Sequence, residues 1–251
     1  MNSWTIQIVE LNVSDLELMK QFYTQNIGLK VLHETSDKVI LGVDTPLLSL
    51  YKIDSKTRSN TADLYHFALL VPTQQVLGEI LLALYQKGLL SGASDHGYSE
   101  ALYLNDPEGN GIEIYCDKNI DQWDIKDDGR IVGITEEIDA QHLLSLAKEP
   151  FTSLPEGTKM GHVHLMVHDL KETQAFYEDL GFDLKLDYGG RAKFFARGLY
   201  HHHLGANTWH GQLPVRSENQ LGVRSVHLHI KEAQPQTLTD PSGIILKINL
   251  G

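Results

Sequence analysis

Residues 161–186, GHVHLMVHDLKETQAFYEDLGFDLKL, repeat the opening of the chain almost in register. Val13, Asp15, Phe22 and Tyr23 recur as Val167, Asp169, Phe176 and Tyr177, and the stop at Gly28 recurs as Gly181 with one residue deleted. Each copy switches period in the same way. Ile6 to Val13 alternates as a strand, Ser14-Asp15 supplies a helix N-cap, and Leu16, Met19, Phe22 and Tyr23 follow at helical spacing until Gly28 stops the helix. Further strands are predicted over Leu29 to His33, Lys38 to Val43 and Pro46 to Ile53. The opening is therefore one strand, one helix and three strands, and the chain contains that arrangement more than once.

A second repeat concerns the closing strands. The stretch SDHGYSEALYLNDPEGNGIEIY, Ser94 to Tyr115, reads as a His-bearing loop, a strand from Glu100 to Leu104, a turn on Asp106, Pro107, Gly109 and Asn110, and a strand from Gly111 to Tyr115. DPSGIILKIN near the C-terminus matches it, so that Asp106, Pro107 and Gly109 recur as Asp240, Pro241 and Gly243. Four modules result. The second spans Tyr65 to Tyr115 with a helix from about Gln74 to Lys87, and the fourth is cut down, because HIKEAQPQTLTDPSG leaves no room for a helix and two strands. On the strand Gly111 to Tyr115, Glu113 points away from Ile112 and Ile114. A carboxylate there belongs either to the polar face of an edge strand or to an inward-facing ligand.

Composition narrows the partners. The 251 residues are 41% hydrophobic and 22% charged, ordinary for a soluble globular chain, and the formal charge of −12 argues against nucleic acid or an anionic membrane as partner. The substrate is expected to be small. One cysteine, Cys116, excludes an internal disulfide framework, the N-terminus lacks a signal-peptide layout, and no apolar run reaches membrane-spanning length, so a cytoplasmic protein is expected. Residues 119–158 read as a linker between a domain of modules one and two, 1–118, and a domain of modules three and four, 159–251. The linker holds a short helix over Asp139 to Ala147. Its acidic patch, Asp121, Asp124, Asp127 and Asp128, lacks the spacing and closing Glu of a calcium loop and reads as solvated.

Taken together, YHFALLVP, SDHG, SEALYLNDPEGNGIEIY, GHVHL and LYHHHLGANTW resemble the vicinal oxygen chelate superfamily of glyoxalases, bleomycin-resistance proteins and extradiol dioxygenases. The likeness covers nearly the whole chain and is nearest to two-domain, four-module proteins of the catechol 2,3-dioxygenase type. It implies an α+β fold of tandem βαβββ modules that form half-barrels, with the fourth module truncated. It also implies a metal held by a His on the first strand of one module, and a His and a Glu on the first and last strands of its partner. His66 stands five residues before Val71, His162 five before Val167 and Ile8 five before Val13; the fourth module offers Ser225 there and Lys247 in place of Glu113. Only modules two and three together carry a complete set, His66, Glu113 and His162, the two-His-one-carboxylate triad suited to non-haem Fe(II). Modules one and four are then a sterile support. His164 shares the face of His162 and is its rival; Glu10 holds the equivalent register in module one.

The resemblance further implies Fe(II), with Mn, Zn or Ni as alternatives, and a small aromatic substrate plus O2. His202 matches the acid/base His of extradiol enzymes, His96 a second active-site His, and Tyr103, ten residues before Glu113, an active-site Tyr. If Leu199 to Asn207 is a strand, His201 and His203 face away from His202 and serve as supporting or surface residues, although the register is open by one. Tyr115 is a further candidate for the cavity wall. The absence of a carboxylate in LYHHHLGAN disfavours a glyoxalase-like isomerase or lyase, which takes a fourth ligand from that strand. A drug-binding protein of the bleomycin-resistance type is the non-enzymatic alternative. The surface left uncovered by the short fourth module invites a homodimer.

Overall fold

The computed structural model describes residues 4–231 and 233–250. Module one comprises β1 (Trp4–Val13), α1 (Leu16–Phe22), β2 (Lys30–Glu34), β3 (Lys38–Gly42) and β4 (Pro46–Lys52), and module two comprises β5 (Asp63–Leu70), α2 (Gln74–Gln86), β6 (Gly92–Asp95), β7 (Ser99–Asn105) and β8 (Gly111–Asp117). A connector with α3 (Ala140–Leu146) leads to module three: β9 (Lys159–Met166), α4 (Leu170–Asp179), β10 (Asp183–Tyr188), β11 (Ala192–Ala196) and β12 (Leu204–Asn207). Module four retains β13 (Gly222–Ile230), β14 (Gln236–Thr239) and β15 (Ile245–Ile248), having lost the helix and one strand. No helix among the described residues is long and apolar enough to cross a membrane.

The repeated residues account for local structure. The carboxylate of Asp15 accepts from Leu18 N, and that of Asp169 accepts from Lys171 N and Glu172 N, so both copies satisfy otherwise unpaired N–H groups at the helix start. After α1 the chain makes a π turn over Tyr23–Ile27 and ends at Gly28, whose φ is +79°. A side chain at Gly28 would stand 2.7 Å from Ser153 Cα, so the glycine serves both the left-handed backbone and a close chain crossing.

Two curled mixed sheets organise the molecule, and the modules pair across the chain. The eight-stranded sheet runs β10-β11-β12-β9-β5-β8-β7-β6, and the seven-stranded sheet runs β14-β15-β13-β1-β4-β3-β2. Modules two and three therefore share one sheet through the antiparallel pair β5–β9, while modules one and four share the other through β1–β13. Chain neighbours are instead joined by buried hydrogen bonds. Tyr23 donates to Asp106 at 2.7 Å between modules one and two, and Tyr177 to Asp240 at 3.2 Å between modules three and four. This cross-bracing gives the recurrent Tyr and Asp a shared physical reason: each pair satisfies two polar groups in the interior.

Candidate metal centre and active site

Register places the site on the eight-stranded sheet. Tyr103 of β7 faces Glu113 of β8, Glu113 faces Ala68 of β5, and Ala68 faces His162 of β9. One row across the sheet thus presents a phenol, a carboxylate, a methyl and an imidazole. The next row contains Asn105, Gly111, His66, His164, Gly205 and Phe194. Side chains two residues apart on a strand share a face, so His66 stands beside Ala68 on the concave side. Ala68 is fully buried and small, which lets Glu113 and His162 reach toward each other over its methyl group.

Three side chains converge. Glu113 Oε2 lies 3.0 Å from His66 Nε2 and 3.2 Å from His162 Nε2, and the three ligand atoms lie within 4.8 Å of one another. Bonds of about 2.1 Å meeting at right angles put two donors about 3.0 Å apart, close to both separations. His66 Nε2 is buried and, despite its 3.0 Å approach to Glu113 Oε2, makes no hydrogen bond of good geometry, which leaves its lone pair compatible with a shared metal ion. Burial disfavours the charged form of Glu113, but the imidazoles of His162 and His66 outweigh it and hold the carboxyl well below its usual range. Burial pushes the His162 imidazole down against the pull of Glu113. β8 lies between β5 and β7, so Glu113 is an inward residue of an interior strand.

His164 is committed elsewhere. Trp209 N donates to Asn207 Oδ1, which directs the Asn207 amide N–H to His164 Nε2 at 3.1 Å. The structure accordingly groups His162, not His164, with Glu113 and His66.

The equivalent place in the seven-stranded sheet contains an internal ion pair. Ile8 faces His227, and His227 faces Lys247. Lys247 Nζ lies 2.7 Å from Glu10 Oε2, which also accepts from Ser225 Oγ at 2.6 Å. An ammonium supplies the positive charge on that side.

The histidine run departs from expectation. His201, His202 and His203 occupy a bend before β12, not a strand, so strand alternation does not order them. All three are buried, and none is a surface residue. His202 lines the cavity beside the candidate centre, with its ring 4.1 Å from that of His162. Burial pushes the His202 imidazole well below its usual pKa. His201 turns away from the cavity toward Asp117, and Arg197 N donates to His203 Nδ1 at 3.4 Å. Tyr115, expected at the cavity, is fully buried behind His162 and donates to Tyr200 Oη, 2.7 Å away, since the Tyr200 proton goes to Asp117.

His96 and Tyr103 meet at the opposite wall. The Ile134 carbonyl can only accept, so His96 donates to it from Nδ1 at 2.9 Å. Nε2 lies 2.6 Å from the Tyr103 hydroxyl, and with the single ring proton on Nδ1 it is the acceptor of that contact. Burial and the Glu113 carboxylate push the Tyr103 phenol well above its usual pKa, which keeps its proton in place. The cavity above these residues has a volume of about 460 Å³. Aromatic rings of Tyr65, Tyr188, Phe194 and Trp209 form much of its wall, and Gly133, Ile134 and Thr135 of the connector complete it. The connector thus contributes to the site, while its acidic residues Asp121, Asp124, Asp127 and Asp128 are exposed. No local periodicity marks residues 133–135 as wall residues; backbone hydrogen bonds between Asp95 and Glu136 and from Ile134 N to His96 O hold them there.

Comparison with known proteins agrees with this geometry. Residues 5–114 match the Glyoxalase/Bleomycin resistance protein/Dioxygenase superfamily. A protein of Bacillus subtilis (strain 168) named catechol-2,3-dioxygenase is 40% identical over 227 residues, covering 87% of this chain and 80% of that protein. Among solved structures, a putative dioxygenase from Bacillus subtilis subsp. subtilis str. 168 superposes with a TM-score of 0.65 at 10% identity, covering 97% of this chain and 84% of the other. Glyoxalase I from Zea mays superposes with a TM-score of 0.59 at 16% identity, covering 98% and 92%; at such identities these two likenesses concern the fold alone. With the sequence relationship extending over most of both proteins, the chain belongs to the glyoxalase, bleomycin resistance protein and dioxygenase superfamily.

Proposed function

We propose that this protein is an Fe(II)-dependent extradiol dioxygenase that opens a catechol-like aromatic ring with O2. The observation that carries the reading is the convergence of His66, Glu113 and His162 at the base of an aromatic-walled cavity that also presents His202 and Tyr103. Two imidazoles and one carboxylate suit non-haem iron and leave coordination positions open. His66, Glu113 and His162 would hold the iron, which when bound would supply Lewis acidity toward a catechol and activation of O2.

The remaining chemistry belongs to the chain. Tyr65, Phe194 and Trp209 offer aromatic faces to a planar ring. His202, neutral through burial, is the group suited to take a hydroxyl proton and return it during ring opening. Tyr103 stands between the acceptors His96 Nε2 and Glu113, and its oxygen lone pairs remain for a substrate hydroxyl. The name of the Bacillus subtilis relative supports the same reaction class. A glyoxalase-like four-ligand site is disfavoured because β12, Leu204–Asn207, carries no carboxylate.

Elemental analysis of anaerobically purified protein, followed by catechol in air, tests the proposal. Iron approaching one per chain and a yellow ring-opened product are expected, and Glu113→Ala should abolish both. Metal retained without ring opening across a panel of catechols would move the assignment to an isomerase or lyase. Protein that takes up no metal would refute both enzymatic readings.

A further inference from the structure

We propose that Asp117 is a positioning residue which, acting through His201, sets the tautomer of His202 and leaves Nε2 of that cavity-lining residue without a proton. The inference deepens the dioxygenase reading and rests on it for its catalytic meaning, while the hydrogen-bond logic stands on the geometry. Asp117 Oδ1 lies 2.8 Å from His201 Nε2, and His201 Nδ1 lies 2.7 Å from His202 Nδ1. These two contacts form one chain from the end of β8 to the active cavity.

The order of donors follows from the carboxylate end. An ionised carboxylate only accepts, so the proton on His201 is at Nε2. In a neutral imidazole the other nitrogen is then an acceptor, and His201 Nδ1 must receive a hydrogen bond. Among the described residues, the donor supplied to it is His202 Nδ1–H. A neutral His202 that is protonated at Nδ1 carries its lone pair at Nε2, the ring nitrogen that His201 leaves free on a residue lining the cavity. That is the form needed to accept a proton from a bound hydroxyl.

The surroundings hold the chain in this arrangement. The His201 side chain is 0% exposed and its partner Asp117 24% exposed, so water is kept from the imidazole although it reaches the carboxylate. Tyr98 stacks on its ring at 4.3 Å with an interplanar angle of 10°, and Trp123 packs at 5.3 Å, which restrains a ring flip. Tyr200 donates to the second oxygen of Asp117 at 3.1 Å, so the carboxylate is oriented from both sides. Neither Asp117 nor His201 lines the cavity, and neither belongs to the candidate ligand set.

Nitrogen NMR of full-length, 15N-histidine-labelled protein prepared without metal reads the tautomer directly, with His202→Gln identifying the His202 signals. Wild-type protein should show His202 protonated at Nδ1 and bare at Nε2. Asp117→Asn, whose amide offers His201 a donor as well as an acceptor, should drain that population. In the iron-loaded enzyme the same variant should lower kcat by about tenfold to hundredfold with KM for catechol within about twofold. His202 protonated at Nε2 in the wild type, as an imidazolium at His201 would require, overturns the proposal, as does an unchanged tautomer in Asp117→Asn. Because the spectrum needs neither metal nor turnover, failure of the dioxygenase reading would leave its outcome intact and separately legible.

Discussion

Replacing Lys247 with Met tests whether the pseudo-site of the seven-stranded sheet is held together by charge. Glu10 is 3% exposed, and its Oε2 takes Lys247 Nζ at 2.7 Å and Ser225 Oγ at 2.6 Å. Its Oε1 accepts from Tyr51 at 2.9 Å and lies 3.3 Å from His227 Nε2. Removing one partner of a fully buried pair costs about 3–5 kcal/mol. The Lys247 side chain is 29% exposed and the other groups remain, which lowers the expected loss to about 2 kcal/mol. Urea unfolding of Lys247→Met, Glu10→Gln and the double variant should show a coupling of about 1–2 kcal/mol. The pH dependence has a definite sign. Burial raises the Glu10 pKa, but hydrogen bonds from His227, Lys247 and Ser225 outweigh it and hold the carboxyl well below 4.5. A group depressed in the folded state contributes its stability above its unfolded pKa and loses it as pH falls through the folded pKa. The deficit of Lys247→Met should therefore be full at neutral pH and shrink as pH drops below about 4.5. An unfolding midpoint equal to wild type at pH 7, or a deficit undiminished at pH 3, would refute the reasoning.

Ala68→Leu should displace metal without touching a ligand, because Glu113 and His162 meet above that methyl group; overpacking of about 1–3 kcal/mol and a fall in metal stoichiometry are expected, read by thermal melting and elemental analysis. Gly161→Ala would place a methyl 1.9 Å from Tyr115 Oη, so a loss of about 2 kcal/mol or more is expected in chemical denaturation. Tyr103→Phe should leave folding and metal content unchanged while lowering kcat for catechol by about tenfold or more, measured as product absorbance. Thr73 caps α2 by accepting from Val76 N, and Thr73→Ala should cost about 1 kcal/mol in urea unfolding with metal uptake unaltered.

Much of the architecture is legible along the chain because its signals are local. Asp15 and Asp169 act as helix caps, Gly28 ends the first helical segment, and the Asp106 turn joins β7 to β8, each through chemistry spanning a few residues. The repeat makes registers comparable, and comparison shows that only modules two and three contain two imidazoles and a carboxylate; the β5–β9 pair then brings those modules into one sheet. Local rules also mislead. Strand alternation predicts opposite faces for His202 and its two neighbours, but Phe195 O and Val163 N bind the backbone of His203 where the chain bends into β12, so the run is ordered by tertiary contacts.

The sequence by itself determined the module order, the helix caps and the donor types available to each module, because dihedral preference, side-chain periodicity and ligand chemistry are properties of short segments. The tertiary structure decided which donors meet. Asn207 occupies His164, the connector reaches the cavity wall at residues 133–135, Tyr115 withdraws behind His162, and Asp117 reaches His201 across 84 residues of chain. Each depends on an approach of a few ångströms between distant segments, fixed by the curl and pairing of the sheets rather than by any local pattern.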